Sequence, residues 1–281
     1  MSIEFRKYEQ RVRIFRNCAL LMYDIHLMQE LITSAGQLAL TYFRKVTPTW
    51  KDNQTYVTDA DIAVQEYLKK ELEARFPDDG MIAEEQDLSR PPRSGNRYWV
   101  IDPIDGTASF ARGFPLWGIA IGLVTPAEAI GGFFYLPPTN DFYYTMPDGT
   151  VRHNGQIVRI PRPDPFSREA VLLTGARFYR KYAVSQDYPG KIRSLGSTVA
   201  HLCYVAAGSA DAAFIQRVSL WDLAAGLAMV HQNHGVLEYL DGSLFSLKEL
   251  LVNHKAPQSM LAGHPDAVKQ YRQWLVNKEA R

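Results

Sequence analysis

Apolar residues at Met28, Leu31, Ile32, Ala35, Leu38, Ala39, Tyr42 and Phe43 recur at helical spacing, so Ile25 to Phe43 is predicted to form one helix, which Pro48 ends. A second stripe, Val64, Leu68, Leu72 and Phe76, predicts a helix from Thr58-Asp59-Ala60-Asp61 to Pro77, with Thr58 or Asp59 as its N-cap. The pattern then changes to short apolar runs: Met81-Ile82-Ala83, Trp99-Val100-Ile101, Gly118 to Val124, Ala129 to Tyr135, Phe142 to Thr145 and Ile157 to Ile160. Asp148-Gly149 and Asn154-Gly155 between them are turn signals, so the first half reads as two helices followed by a mostly antiparallel sheet. The polar stretch Asp87 to Asn96 reads as a loop, and Pro103, which cannot donate to a ladder, is expected to end the pairing of the Trp99 strand.

The second half alternates. Val171 to Thr174, Ala212 to Ile215 and Val236 to Leu240 read as strands. Ser197 to Ala207, Leu223 to Val230 behind Ser219, and Asp266 to Val276 read as helices, and Arg177 to Gly190 as a loop. Two sheets with flanking helices in a layered α/β arrangement follow.

The 281 residues, 46% hydrophobic and 22% charged, suffice for a large core. A formal net charge of +1 gives no general attraction to nucleic acid or membrane, and no apolar run nears the roughly 20 residues of a membrane helix. Residues 1–24 read as a basic N-terminal extension (Arg6, Lys7, Arg11, Arg13, Arg16), interrupted at Asp24 and lacking a cleavage signature. With Glu4 and Glu9 interspersed it reads as a solvated helix face rather than a polyanion-binding arm. Cys18 and Cys203 have neither disulfide nor zinc spacing, so a reducing, cytoplasmic setting is expected.

The chemistry concentrates in carboxylates that begin or end apolar elements: Glu84, Asp102, Asp105 and Asp222. Asp59 and Asp61 have the simpler explanation of capping and dipole compensation. In Asp102-Pro103-Ile104-Asp105-Gly106-Thr107 two acids share one turn, and Gly106 allows the backbone to approach something closely. Inward-pointing acids call for a cation, and an all-oxygen donor set suits Mg2+ first, with Mn2+ or Ca2+ next.

On Thr58-Asp59-Ala60-Asp61, Ala83-Glu84-Glu85, Asp102 to Thr107 and Trp221-Asp222-Leu223-Ala224-Ala225-Gly226, the chain resembles the inositol monophosphatase-like, magnesium-dependent phosphatases from about Gln29 onward. Asn154-Gly155, Leu195-Gly196-Ser197, Cys203 to Gly208 and Asp211 are weaker matches. The resemblance implies an αβαβα five-layer sandwich, a phosphatase domain over residues 25–281 (helices and antiparallel sheet to about 160, α/β beyond) and a homodimer. It also implies hydrolysis of a small phosphorylated substrate with two or three Mg2+ ions. Glu84, Asp102, Asp105 and Asp222 would be ligands with the Ile104 carbonyl and Thr107. Asp102 would bridge two ions, Thr107 with Asp61 would activate water alongside Glu84, and the Gly106 and Thr107 amides would hold phosphate. Lys51, Glu85, Gly196, Ser197, Ile215 and Arg217 fall on the substrate side.

Ser109 before Phe110, followed by Gly113-Phe114-Pro115, is closer to the histidinol-phosphate phosphatases of that family. Ile215 stands where the inositol enzymes carry a hydroxyl-binding glutamate, and Arg217 suits either a second phosphate or solvent. An inositol-phosphate-type phosphatase is therefore the leading reading. Histidinol phosphate is the alternative, with fructose 1,6-bisphosphate, 3′-phosphoadenosine compounds and a non-catalytic binding protein further off. His231 and His234 with Glu238 could form a zinc site, but imidazoles favoured by a helix C-terminus are the simpler expectation.

Overall fold

The computed structural model describes residues 23–51, 56–86, 97–164, 167–216 and 218–278. Cys18, most of the basic N-terminal segment, the polar stretch 87–96 and Arg217 lie outside them. In chain order the first half comprises α1 (Ile25–Tyr42), β1 (Thr49–Trp50), β2 (Tyr56–Val57), α2 (Asp59–Arg75), β3 (Gly80–Ala83), β4 (Tyr98–Asp105) and α3 (Thr107–Ala111), then β5 (Gly118–Val124), β6 (Ala129–Leu136), β7 (Asp141–Thr145), β8 (Val151–His153) and β9 (Gln156–Val158). The second half comprises β10 (Val171–Thr174), α4 (Phe178–Lys181), β11 (Tyr182–Val184), β12 (Lys191–Arg193), α5 (Thr198–Ala206), β13 (Ala212–Ile215) and α6 (Leu220–Gln232), then β14 (Val236–Tyr239), α7 (Leu247–Asn253), β15 (Met260–Gly263), α8 (Pro265–Trp274) and β16 (Leu275–Asn277).

A seven-stranded sheet runs β3-β4-β5-β6-β7-β8-β9, parallel only between β3 and β4. A five-stranded sheet runs β12-β10-β13-β15-β14, with its first three strands parallel and the last two antiparallel. Side-chain alternation sorts the layers. On β4, Trp99 and Ile101 join the α1 and α2 residues in one core, whereas Val100 joins α5 and α6 in another. On β13, Ala213 and Ile215 face that same middle core, while Ala212 and Phe214 pack with Val268, Tyr271 and Trp274 of α8. The order is thus α1/α2, first sheet, α5/α6, second sheet, α8: the five-layer αβαβα sandwich, as expected.

Four sequence readings are corrected. Pairing of β4 continues past Pro103, from Asp102↔Ala120 to Asp105↔Gly118, with one extra residue on the β4 side. A bulge tolerates the proline's missing N–H. The stretch read as a loop after Arg177 folds into α4 and β11, and β11 pairs with β16, so the last helix stops at Trp274. The hairpin after Asn154-Gly155 closes earlier than predicted, at Gln156–Val158, with both turn residues at positive φ. Finally β1, β2, α3, β12, α7 and β15 are not among the predicted elements. Met260-Leu261-Ala262-Gly263 carries no β-branched signal, yet it is a fully buried strand.

Candidate functional site

The site forms where β4 of the first sheet meets the starts of α5 and α6. Asp102 is 1% and Asp105 4% exposed, and Asp102 shares its strand face with Val100, toward the middle layer. Gly106 ends the strand at φ +93°, with the Leu116 and Gly196 carbonyls so close that a Cβ would crowd both. Thr107 begins α3 directly after it.

Asp222 reaches the same place because α6 lies unusually close to the first sheet. Side chains at Gly122 and Gly132 would collide with Ala224 and Ala225, so the small residues of Leu223-Ala224-Ala225-Gly226 are what permit the approach. Ser219 caps α6 in a capping box whose third residue is Asp222, and the Ser219 amide donates to Asp222 Oδ2 at 2.9 Å. One oxygen each from Asp102, Asp105 and Asp222 lies within 4.8 Å of the others, the one such cluster among the described residues.

Burial and mutual repulsion push the Asp102 and Asp222 carboxyls well above the usual carboxylate range, Glu84 and Asp105 being their largest charged neighbours. Asp105 is raised to about 6 by burial, restrained by hydrogen bonds from Ser197, Thr198 and Val199. Asp102 Oδ1 is buried without a hydrogen-bond partner, which is unusual for an inward-facing carboxylate. An unpartnered oxygen among three converging acids, with oxygen donors only, fits a hard divalent cation.

Beside the cluster, the Thr107 hydroxyl lies 3.1 Å from Asp61 Oδ1 and 3.0 Å from the Ile104 carbonyl, one proton facing two acceptors. Asp61 Oδ2 accepts from the Thr58 amide at 2.8 Å and the Thr58 hydroxyl at 2.6 Å. Capping of α2 and contact with Thr107 are therefore carried by different oxygens of one side chain. Burial raises Asp61 to about 6, against the lowering effect of these hydrogen bonds.

Glu84 follows β3 and stands outside the three-carboxylate cluster, its carboxylate turned to Lys51 Nζ at 2.9 Å. Lys51 also pairs with Glu85. Burial acts to lower the Lys51 pKa, but the two glutamates outweigh it and hold it raised. Burial lifts Glu85 to about 7 despite the lysine. Gln65 of α2 clamps the Glu85 backbone through two 2.8 Å bonds, a role missed in the sequence although Gln65 stands one turn from Asp61 on the helix's buried side.

Ser197 sits beside the cluster, its hydroxyl bonded to Asp105, and the Gly196 carbonyl lies against Gly106, while a Cβ at Gly196 would meet Ser109 Oγ at 2.8 Å. Ile215 is 3% exposed and packs into the middle core, so it offers nothing to a substrate hydroxyl. His231 of α6 and His234 beyond its end form no metal cluster with Glu238, which is paired with Arg272, and His234 takes a left-handed φ of +61°.

A second missed residue is His201, 3% exposed, whose Nε2 accepts from the Leu195 amide at 3.1 Å and thereby sets the Leu195-Gly196 approach. Burial lowers its pKa to about 4. The neutral form is favoured in the fold, so this stabilisation is complete above the unfolded pKa near 6.5 and is lost as pH falls toward 4. We expect wild type to lose on the order of 3 kcal/mol relative to His201→Gln between pH 7 and 4. Denaturant unfolding of both proteins across that range is the check, and parallel curves would refute it.

The profile of the inositol monophosphatase family matches residues 23–273. A histidinol-phosphatase of Chlorobaculum parvum is 33% identical over 220 residues, 75% of this chain and 84% of that protein. A fructose-1,6-bisphosphatase/inositol-1-monophosphatase of Thermotoga maritima is 30% identical over 218 residues, 76% and 83% of the two chains. The solved structure of a Thermotoga maritima IMPase superposes with a TM-score of 0.72 at 26% identity, covering 87% of this chain and 94% of that one.

Proposed function

Because the chain belongs to the inositol monophosphatase family, a family of phosphatases, we propose that it is a Mg2+-dependent phosphomonoesterase acting on a small phosphorylated alcohol by two-metal activation of water. The observation that carries this reading is the unpartnered, buried Asp102 Oδ1 among Asp105 and Asp222, beside the Thr107–Asp61 pair.

Asp102, Asp105 and Asp222 would hold the cations, with Glu84, the Ile104 carbonyl and Thr107 completing the set. Divalent cations bound there would supply a lowered water pKa and neutralise charge on the leaving oxygen. The chain's own residues do the rest. With the Thr107 hydroxyl donating to Asp61, its free lone pairs can accept from a water on the cluster side, and Asp61 is the final proton acceptor. The Gly106 and Thr107 amides, where strand turns into helix, would orient the phosphate. Lys51, bound to Glu84 and Glu85, would place its positive charge on the substrate side. Attack by water on phosphorus needs no protein nucleophile.

For the alcohol part, the observations favour histidinol phosphate as a second reading over inositol phosphate. Ile215 is committed to the core, Ser109 packs against Gly196, and a relative 33% identical carries the histidinol-phosphatase name. Phosphate release from inositol 1-phosphate, histidinol phosphate, fructose 1,6-bisphosphate and 3′-phosphoadenosine 5′-phosphate, in parallel with Mg2+, is the test. Turnover of histidinol phosphate at least tenfold above the others is expected. No release from any of the four, with or without Mn2+ in place of Mg2+, would favour a binding protein on the same fold.

A further inference from the structure

We propose that Ser197 is a positioning residue for the Asp105 carboxylate, and that through it cation binding depends on the packing of α5 against the first sheet. The inference rests on the metal-site reading above.

Asp105 ends β4, and Ser197 is the N-cap of α5, 92 residues later and in the next layer. The Ser197 hydroxyl bonds to Asp105 Oδ2, the Val199 amide reaches the same oxygen at 3.1 Å, and the Thr198 amide reaches Oδ1 at 3.1 Å. The Ala200 amide donates to Ser197 Oγ at 3.0 Å. An amide N–H can only donate, so the serine oxygen is the acceptor in that bond and its own proton is directed to Asp105. Both residues are nearly inaccessible, Ser197 at 2% and Asp105 at 4%. The hydroxyl is thus already engaged in both senses, which assigns it to the carboxylate rather than to the substrate contact expected from its sequence neighbourhood.

The three acids are supported unequally. Asp105 has three donors, Asp222 one amide from Ser219, and Asp102 Oδ1 none. Three donors from one helix start fix the rotamer of Asp105 and favour its ionised form, while Oδ1, with the Thr198 amide as its one donor, keeps a lone pair for a cation. Partners that orient a ligating carboxylate in this way typically contribute 10–100-fold to metal affinity. Loss of the serine proton leaves two amides, which hold the carboxylate near but let it turn.

The experiment uses the full chain and counts bound Mn2+ by electron paramagnetic resonance, next to melting midpoints in EDTA. Ser197→Gly removes the hydroxyl, yet glycine at an N-cap gives up only a few tenths of a kcal/mol of capping. It should raise the Mn2+ dissociation constant about 10–100-fold while the metal-free midpoint falls by only a few degrees, for the one charge-assisted hydrogen bond lost. Ser197→Thr keeps the hydroxyl and should bind as wild type. Phosphate release by Ser197→Gly should recover at saturating Mn2+, with only the half-saturating metal concentration displaced. Wild-type Mn2+ affinity in Ser197→Gly would overturn the inference and leave the metal site standing. So would an affinity loss accompanied by a metal-free midpoint many degrees lower, because the serine would then be acting as a cap alone. If wild type and Asp102→Asn both bind no Mn2+, the metal-site reading itself fails and takes this one with it.

Discussion

Asp102→Asn is expected to lower phosphate release by at least about a thousandfold, roughly 4 kcal/mol of transition-state stabilisation, and to make the metal-free protein more stable. The two effects have one source. The Asp102 carboxyl is buried at 1% exposure, faces Glu84, Asp105, Asp222 and Asp61, and leaves Oδ1 without a donor. Asparagine keeps the shape, removes the charge and places donors among the remaining acids. The sign follows from linkage. A carboxyl whose folded pKa is raised destabilises the fold as pH climbs past the unfolded value near 4, where the unfolded chain releases its proton first. The advantage of the variant should be absent near pH 3 and grow above pH 4, reaching about 1–2 kcal/mol, or several degrees of melting midpoint in EDTA. Excess Mg2+ should reverse the order, because only wild type gains binding free energy from the cation. Calorimetry in EDTA and in Mg2+, beside a phosphate-release assay, tests all three statements. Wild-type turnover in the variant, or a metal-free midpoint below wild type, would refute this account of the cluster.

That strain explains how much of the site could be read in the sequence. Acids at the edge of apolar runs conflict with their surroundings, and such conflicts between local pattern and fold mark functional places. Asp102, Asp105 and Asp222 were visible for that reason, and the small residues after Asp222 were visible as part of the same motif. Ser197 and Gln65 carried no such conflict. A serine before a helix is fully explained as a cap, and one glutamine on a helical stripe resembles a tolerated polar residue. Their partners, Asp105 and the Glu85 backbone, are 92 and 20 residues away, and only the fold brings them together. The layers were legible for a similar reason. Helical stripes and strand alternation act locally, so α1, α2, α5, α6 and most strands of the first sheet appeared in the pattern. β12, β15 and the β11–β16 pair are three or four residues long and exist through distant partners, with Met260-Leu261-Ala262-Gly263 stabilised between β13 and β14 rather than by its own propensity. Pro103 misled in the opposite direction. A local rule about ladders was overridden by a bulge, and that bulge is what brings Asp102 and Asp105 to the same end of β4.

Asp61→Asn is expected to separate proton transfer from metal binding more cleanly than any change in the cluster. Asp61 Oδ2 caps α2 through Thr58, and Oδ1 faces the Thr107 hydroxyl. An asparagine that keeps its oxygen on the Thr58 amide preserves the cap and turns its NH2 group toward Thr107, a donor where an acceptor stood. The fold and the cation site should survive, with Mn2+ affinity within about threefold of wild type, while kcat falls by about 10²–10⁴, the usual contribution of a positioned base. Thr107→Ser should keep most activity and Thr107→Val should lose at least as much as Asp61→Asn, since it removes the shared hydroxyl and with it a donor to the cation. The pH profile adds a sign. Burial raises Asp61 to about 6 in the metal-free chain, so the deprotonated, proton-accepting form predominates above that value. Nearby cations favour the charged form and lower the pKa. The acid limb of kcat should therefore lie at or below pH 6 and move to lower pH as Mg2+ is raised, and it should flatten in Asp61→Asn. A variant within tenfold of wild type, or one whose acid limb still responds to Mg2+ as wild type does, would show that the proton leaves by another route and reduce Asp61 to its role in the capping box of α2.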